Sequence, residues 1–206
     1  MRASAPPVAP VAPPERPFSE LLETLGDLGG SGRAVALGDV LAMAGTRAHG
    51  AGILLLALPD AIPAPVPSLA AVLGIPLVLI SAHLAANGER AALPARMLRW
   101  PVPGRVLAAM ARTLVRPLAW AERWTRPRLP RLARRERLAG VVCLALSVLL
   151  LLPVPLMNVP PAAALVLIAW GLVQRDGAFV AAGFVASAGI AAALAFAFRA
   201  LVGLLS

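Results

Sequence analysis

An all-α integral membrane protein is the fold class this sequence predicts, and three observations carry it. Of 206 residues, 59% are hydrophobic and 14% charged, with a mean hydropathy of +0.81. A soluble domain is nearer half apolar and a quarter charged. The apolar residues are also gathered into long blocks, as a hydrocarbon core about 30 Å thick requires. Finally, the blocks repeat. Arg47-Ala-His-Gly50 recurs ninety positions later as Arg137-Leu-Ala-Gly140, and Pro63-Ala-Pro65 recurs ninety later as Pro153-Val-Pro155. Asn87-Gly88 recurs eighty-nine later as Asp176-Gly177. Landmarks in near-constant register over some forty residues point to an internal duplication, a device common in membrane transport folds.

Taken in order, residues 1–17 form a Pro/Ala-rich tail with no apolar periodicity, expected to be disordered and not a secretory leader. Residues 18–46 hold short amphipathic helices. Phe18, Leu21, Leu22 and Leu25 recur at helical spacing up to Gly29-Gly30, and a second helix is expected to begin at Asp39 as its cap. The first hairpin repeat occupies 47–88. Its limbs, about 48–58 and 68–86, are separated by a tip whose prolines cannot lie inside one helix. The first limb reaches only about 16 Å at 1.5 Å per residue, so the hairpin is either re-entrant or extended into water by its flanks. Residues 137–177 form the second hairpin repeat, and 178–206 form a C-terminal transmembrane helix. Along that helix Gly183, Ser187 and Ala191 make a small-residue stripe suited to close packing, and a homodimer or higher symmetric oligomer is expected, although the same face could pack within the monomer.

Charge divides the chain sharply. Residues 1–89 carry four Arg against seven acidic residues, residues 90–137 thirteen Arg against Glu122 and Glu136, and residues 138–206 two Arg against Asp176. There is no Lys. An Arg-rich block between two membrane hairpins reads as a cytoplasmic loop under the positive-inside rule, not as a nucleic-acid site. Within this 89–136 segment a helix from Pro101 to Trp124 would place Arg105, Arg112, Arg116 and Arg123 within about 40° of one another. That stripe fits a helix lying on the membrane surface, its arginines reaching anionic headgroups.

Residues that carry chemistry are sparse. The glycines between Gly26 and Gly32 lack phosphate-loop spacing. The single Cys143 cannot form an intrachain disulfide or a cysteine metal cluster. His49 and His83 are thirty-four residues apart with no paired carboxylate in the sequence beside them. The expectation is a non-enzyme with no catalytic residue, cofactor or metal.

Arg47-x-x-Gly50, Leu54-Leu-Leu-Ala-Leu-Pro-Asp60, Ile62-Pro-Ala-Pro65 and Leu73-Gly-Ile-Pro76 resemble the ExoD family of bacterial membrane proteins. Leu151-Leu-Pro-Val-Pro155 and Leu172-Val-Gln-Arg-Asp-Gly177 are similar to that family's second half. The resemblance covers about residues 36–200. Asp60 stands where the family more usually has Asn, and His83 where it has Gln. The resemblance implies a multi-pass protein of the bacterial inner membrane that affects exopolysaccharide production, without implying a reaction. Two functions follow: a transport or permeation component, or a non-catalytic accessory protein binding other polysaccharide synthesis or export subunits.

The candidate substrate or ion site is Asp60 and Asn158, at corresponding hairpin tips, with His83 on a returning limb. A carboxylate at an apolar tip must be paired, hydrated or protonated, and ionisable groups within the membrane are often functional. The alternative is that Asp60 serves the turn alone. Arg47 and Arg137 read as interfacial anchors or as clamps on a helix C-terminus. Gly50 and Gly140 read as close-packing positions, and Pro63, Pro65, Pro153 and Pro155 as backbone architecture.

Overall fold

The computed structural model describes residues 17–61, 67–89, 92–152 and 158–205. Pro63, Pro65, Pro153 and Pro155 lie outside them. The described chain is nearly all helix: α1 (Phe18–Gly29), α2 (Leu37–Ala44), α3 (Ala48–Ala61), α4 (Pro67–Asn87), α5 (Ala95–Leu98), α6 (Gly104–Trp124), α7 (Pro130–Ala133), α8 (Glu136–Leu150), α9 (Val159–Val173) and α10 (Gly177–Leu205). Two short strands, β1 (Val35–Ala36) and β2 (Pro101–Val102), pair antiparallel, Val35 opposite Val102.

Local chemistry sets the boundaries. Helix α2 begins at Leu37, behind an extended Ala36, so Asp39 lies in its first turn and is not its cap. There the carboxylate still complements the helix dipole. Gly45, at φ 60°, turns the chain from α2 into α3 through a conformation that a side chain would oppose. Helix α6 starts at Gly104 and not at Pro101, because Pro101 and Val102 are held in β2.

The core is built on the two hairpins, α3–α4 and α8–α9. Ile53, Leu54, Leu55, Leu56 and Ala57 are buried all round α3, and Ala162, Ala164, Leu165, Ile168 and Ala169 do the same for α9. A helix apolar on every side belongs in the middle of a body. The main packing runs between the hairpins, α3 on α9 and α4 on α8. Gly50, near the start of α3, meets Leu172 and Val173 at the end of α9, and Gly140, near the start of α8, meets Leu84 and Ala85 at the end of α4. Each crossing pair is therefore antiparallel, and the end of α3 and the start of α9 lie at the same end of the body.

Outside the hairpins, α1 lies along α6, where Gly26 faces Ala111 and Gly29 faces Gly104. Leu107, Met110 and Leu118 of α6 are buried, while Arg105, Arg112, Arg116 and Arg123 are exposed. The amphipathic pattern is thus realised, but α1 covers much of the apolar face expected to rest on lipid. Trp120 and Trp124, with ring centroids 5.8 Å apart, stay exposed. Helix α10 packs through its first turns on α9, with Gly183 against Ile168 and Ala164. That end of the small-residue stripe is used within the chain, while Ala191 at its other end is exposed. Val185, Phe196, Phe198, Leu201 and Leu204 of α10 are also exposed. Two stretches, Leu37–Ala61 and Gly177–Leu204, are long and apolar enough to cross a membrane.

Candidate functional site

Antiparallel packing brings the start of α3 beside the end of α4. His49, in the first turn of α3, is 1% exposed, and half-buried His83 lies on the last turns of α4. Nε2 of His49 is 2.9 Å from Nδ1 of His83, and the two rings are nearly parallel with centroids 5.1 Å apart. The thirty-four residues that separate the two in sequence are one helical hairpin.

The carboxylates missing from the sequence reading come from beyond the helix ends. Gly88, at φ 78°, turns the chain so that Glu89 folds back over the α3 N-terminus. Glu89 Oε1 accepts the Gly50 backbone N–H at 3.0 Å, supplying a partner for an N–H that has none within the helix. The Glu89 backbone N–H donates to Oε2 of Glu136, the first residue of α8, at 3.0 Å. Two acidic side chains thus meet where the hairpins join. Burial, and after it the neighbouring Glu136, push the Glu89 carboxyl up to about 7, against the Gly50 and His49 backbone amides and Arg47, which favour its charged form. His49 Nδ1 and Glu89 Oε2 are buried without a hydrogen-bond partner among the described residues.

Below this node, Ser81 of α4 and Ser147 of α8 bring their hydroxyls to 3.1 Å, both fully buried, and Ser147 also donates to the Cys143 carbonyl at 2.6 Å. A second polar junction fastens the outer helices. Glu122 of α6 accepts from the Ser19 backbone and hydroxyl on α1 and from Gln174 after α9. Fully buried Asp176 accepts the Ala178 N–H at 3.0 Å and the Arg126 N–H at 3.3 Å. The repeat landmark Asp176-Gly177 therefore also caps α10.

The three residues expected to share a site are divided. His83 is bonded to His49 at one end of the body. Asp60 is half-buried at the other end of α3, eleven residues or about 16 Å along the helix from His49. Half-buried Asn158 precedes α9 at that same end, without a side-chain cap bond. Half-buried Arg47 interacts with Glu89 in the His49 node, whereas Arg137 is exposed on α8. Sequence reasoning missed His49, Glu89 and Glu136. Once residues 47–88 were read as a hairpin, the placement of its first and last turns at one level could have found the first two. Among the described residues no cluster of three His, Cys, Asp or Glu has metal-binding geometry.

A family model described as "Exopolysaccharide synthesis, ExoD" matches residues 18–196. Protein ExoD of Rhizobium meliloti (strain 1021) is 32% identical over 159 residues, which cover 74% of this chain and 66% of that protein. The chain thus spans just under two thirds of that relative. An uncharacterized protein of Synechocystis sp. is 28% identical over 163 residues, covering 76% of this chain and 75% of its own length. No solved structure matches. Together with two helices of spanning length, these likenesses point to a membrane protein, and the chain belongs to the ExoD exopolysaccharide-synthesis family.

Proposed function

We propose that the chain is a transport or permeation component of the bacterial inner membrane that supports exopolysaccharide production. The observation that carries this reading is ionisable side chains built into an apolar helical body: the His49–His83–Glu89 node at one end and Asp60 at the other. Buried ionisable groups in membrane helices are costly and are commonly kept for function.

Two features support a transport architecture. Helices α8 and α9 have 15 residues each, or about 23 Å, short of the hydrocarbon core, whereas α4 with 21 residues is about 32 Å long. This favours re-entrant limbs sheltered by protein. The crossed packing of α3 on α9 and α4 on α8 is what a duplication relating 47–88 to 137–177 would produce. The common direction of the two helix pairs favours a parallel duplication, its axis running along the body.

Flux into liposomes of ions and lipid-linked sugars tests the reading. Asp60→Leu should abolish flux while leaving the fold nearly intact, and Asp60→Asn should keep part of it because the amide retains a polar oxygen. Equal flux in wild type and both variants, or none for any solute with wild type, removes the proposal.

The same reading puts residues 89–136 in the cytoplasm, with α6 and its α1 partner at the membrane surface and the exposed Arg stripe beside Trp120 and Trp124. A cysteine replacing Arg112 in a Cys143→Ala background should be labelled from the cytoplasmic side. Labelling from the outer side alone reverses the topology. The exposed outer half of α10 favours a second reading, an accessory protein whose last helix docks on a second copy or on polysaccharide-export subunits. A stable stoichiometric partner captured by crosslinking in native membranes would distinguish it.

A further inference from the structure

The two histidines share one hydrogen bond but hold more than one proton between them. A bond between Nε2 of His49 and Nδ1 of His83 needs a single hydrogen, and each neutral ring carries one. If His83 donates, its outer Nε2 is an open acceptor on a half-buried ring, while His49 keeps its hydrogen on Nδ1, deep in the protein. The Glu89 backbone carbonyl acts on the His49 ring. One ring thus reaches toward the surface and the other is sealed, joined at 2.9 Å.

We infer that His49 and His83 form a proton relay that carries a proton between the surface and the buried start of α3. The transfer balances without another reactant. A proton from water binds Nε2 of His83, the hydrogen on His83 Nδ1 moves to Nε2 of His49, and His83 is left neutral with its hydrogen on Nε2. The positive charge then rests on His49, which holds hydrogens on both nitrogens.

The surroundings decide how the pair handles that charge. Glu89 faces the node from the chain after α4, with Glu136 of α8 and Arg47 beside its carboxylate. Cys143 of α8 also lies within electrostatic reach of Glu89. Helix α9, packed on α3, has no ionisable side chain, and on α2, which also packs on it, Asp39 is exposed. Because the Glu89 carboxyl titrates near neutral pH, the node's capacity to balance an imidazolium changes over the range where histidine itself changes charge. This inference goes beyond the transport reading and does not depend on it, because its test needs no transported solute.

The chain has two histidines, so ¹⁵N-histidine labelling of the full protein in lipid nanodiscs reports these two rings alone. Hydrogen exchange at the two rings should be coupled, the sealed His49 ring exchanging through His83. In His83→Gln, whose amide can bond His49 but cannot pass a proton, hydrogen exchange at the His49 ring should slow at least tenfold. In His49→Gln the His83 ring-nitrogen signals should shift, because the bond to Nε2 of His49 is lost. A His49 ring that exchanges equally fast in His83→Gln and wild type overturns the relay. So do His83 ring-nitrogen signals unchanged by His49→Gln.

Discussion

Replacing Gly140 by Ala should cost about 3 kcal/mol or more, and replacing it by Val should prevent the hairpins from docking. A Cβ placed there falls on the Ala85 backbone nitrogen, 2.7 Å from the Ala85 Cα and 2.7 Å from the Leu84 carbonyl carbon. These are main-chain atoms of α4 and cannot rotate away, so α4 and α8 must separate. Overpacking a core costs roughly 1–3 kcal/mol, and obstruction by backbone belongs at the upper end of that range. Separation would also strain the Ser81–Ser147 contact and the Glu89–Glu136 bond, which cross the same interface. Gly50→Ala should be milder, since the new Cβ meets the Leu172 and Val173 side chains at 3.2 Å. Gly189 on α10 has nothing within 4 Å, and alanine there should gain up to about 1 kcal/mol of helix propensity. Thermal unfolding in mild detergent orders the three. A Gly140→Ala protein as stable as wild type would show that the α4–α8 crossing is looser than described.

The importance of Gly140 and Gly50 could be read from the repeat, because a small residue at matched positions of two apolar limbs signals close approach. Their partners could not. A duplicated hairpin specifies its own limbs but not which limb of the other copy it meets, and that choice rests on side-chain fit spread over Leu and Ala residues that look alike in sequence. The same gap hid the polar node. His49 and His83 are each an isolated polar residue in an apolar run, and Glu89 reads as the start of a charged loop until Gly88 turns it back over α3. With α6 the amphipathic period was plain, but period alone does not tell lipid from protein as the cover for Leu107 and Met110. Helix α1, whose own apolar stripe was equally plain, supplies much of that cover. Asp39 is not the cap because Ala36, held extended by strand pairing, starts α2 three residues earlier. That pairing joins segments more than sixty residues apart and leaves no local trace.

Glu89→Gln should raise stability at pH 8 and leave it nearly unchanged at pH 5. The folded chain holds the Glu89 proton up to about 7, whereas the ordinary value is 4.5. Between those limits the native state keeps a proton that the unfolded chain has released. Wild-type stability therefore falls as pH rises through this window and levels off above it. At about 1.36 kcal/mol per pH unit, the wild-type carboxylate costs up to roughly 3 kcal/mol in alkaline solution. Glutamine removes the ionisation while its amide oxygen remains available to the Gly50 N–H, so the cap on α3 survives. Arg47 works against the gain, because its attraction to a charged Glu89 is lost. The net increase in stability at pH 8 should accordingly be smaller than the full carboxylate cost. Unfolding followed across this pH range gives the answer as a slope: wild type should lose stability relative to the variant between about pH 5 and pH 7. Parallel curves would mean that Glu89 is already ionised at pH 5 in the folded chain, with Arg47 and the α3 N-terminus outweighing burial and Glu136.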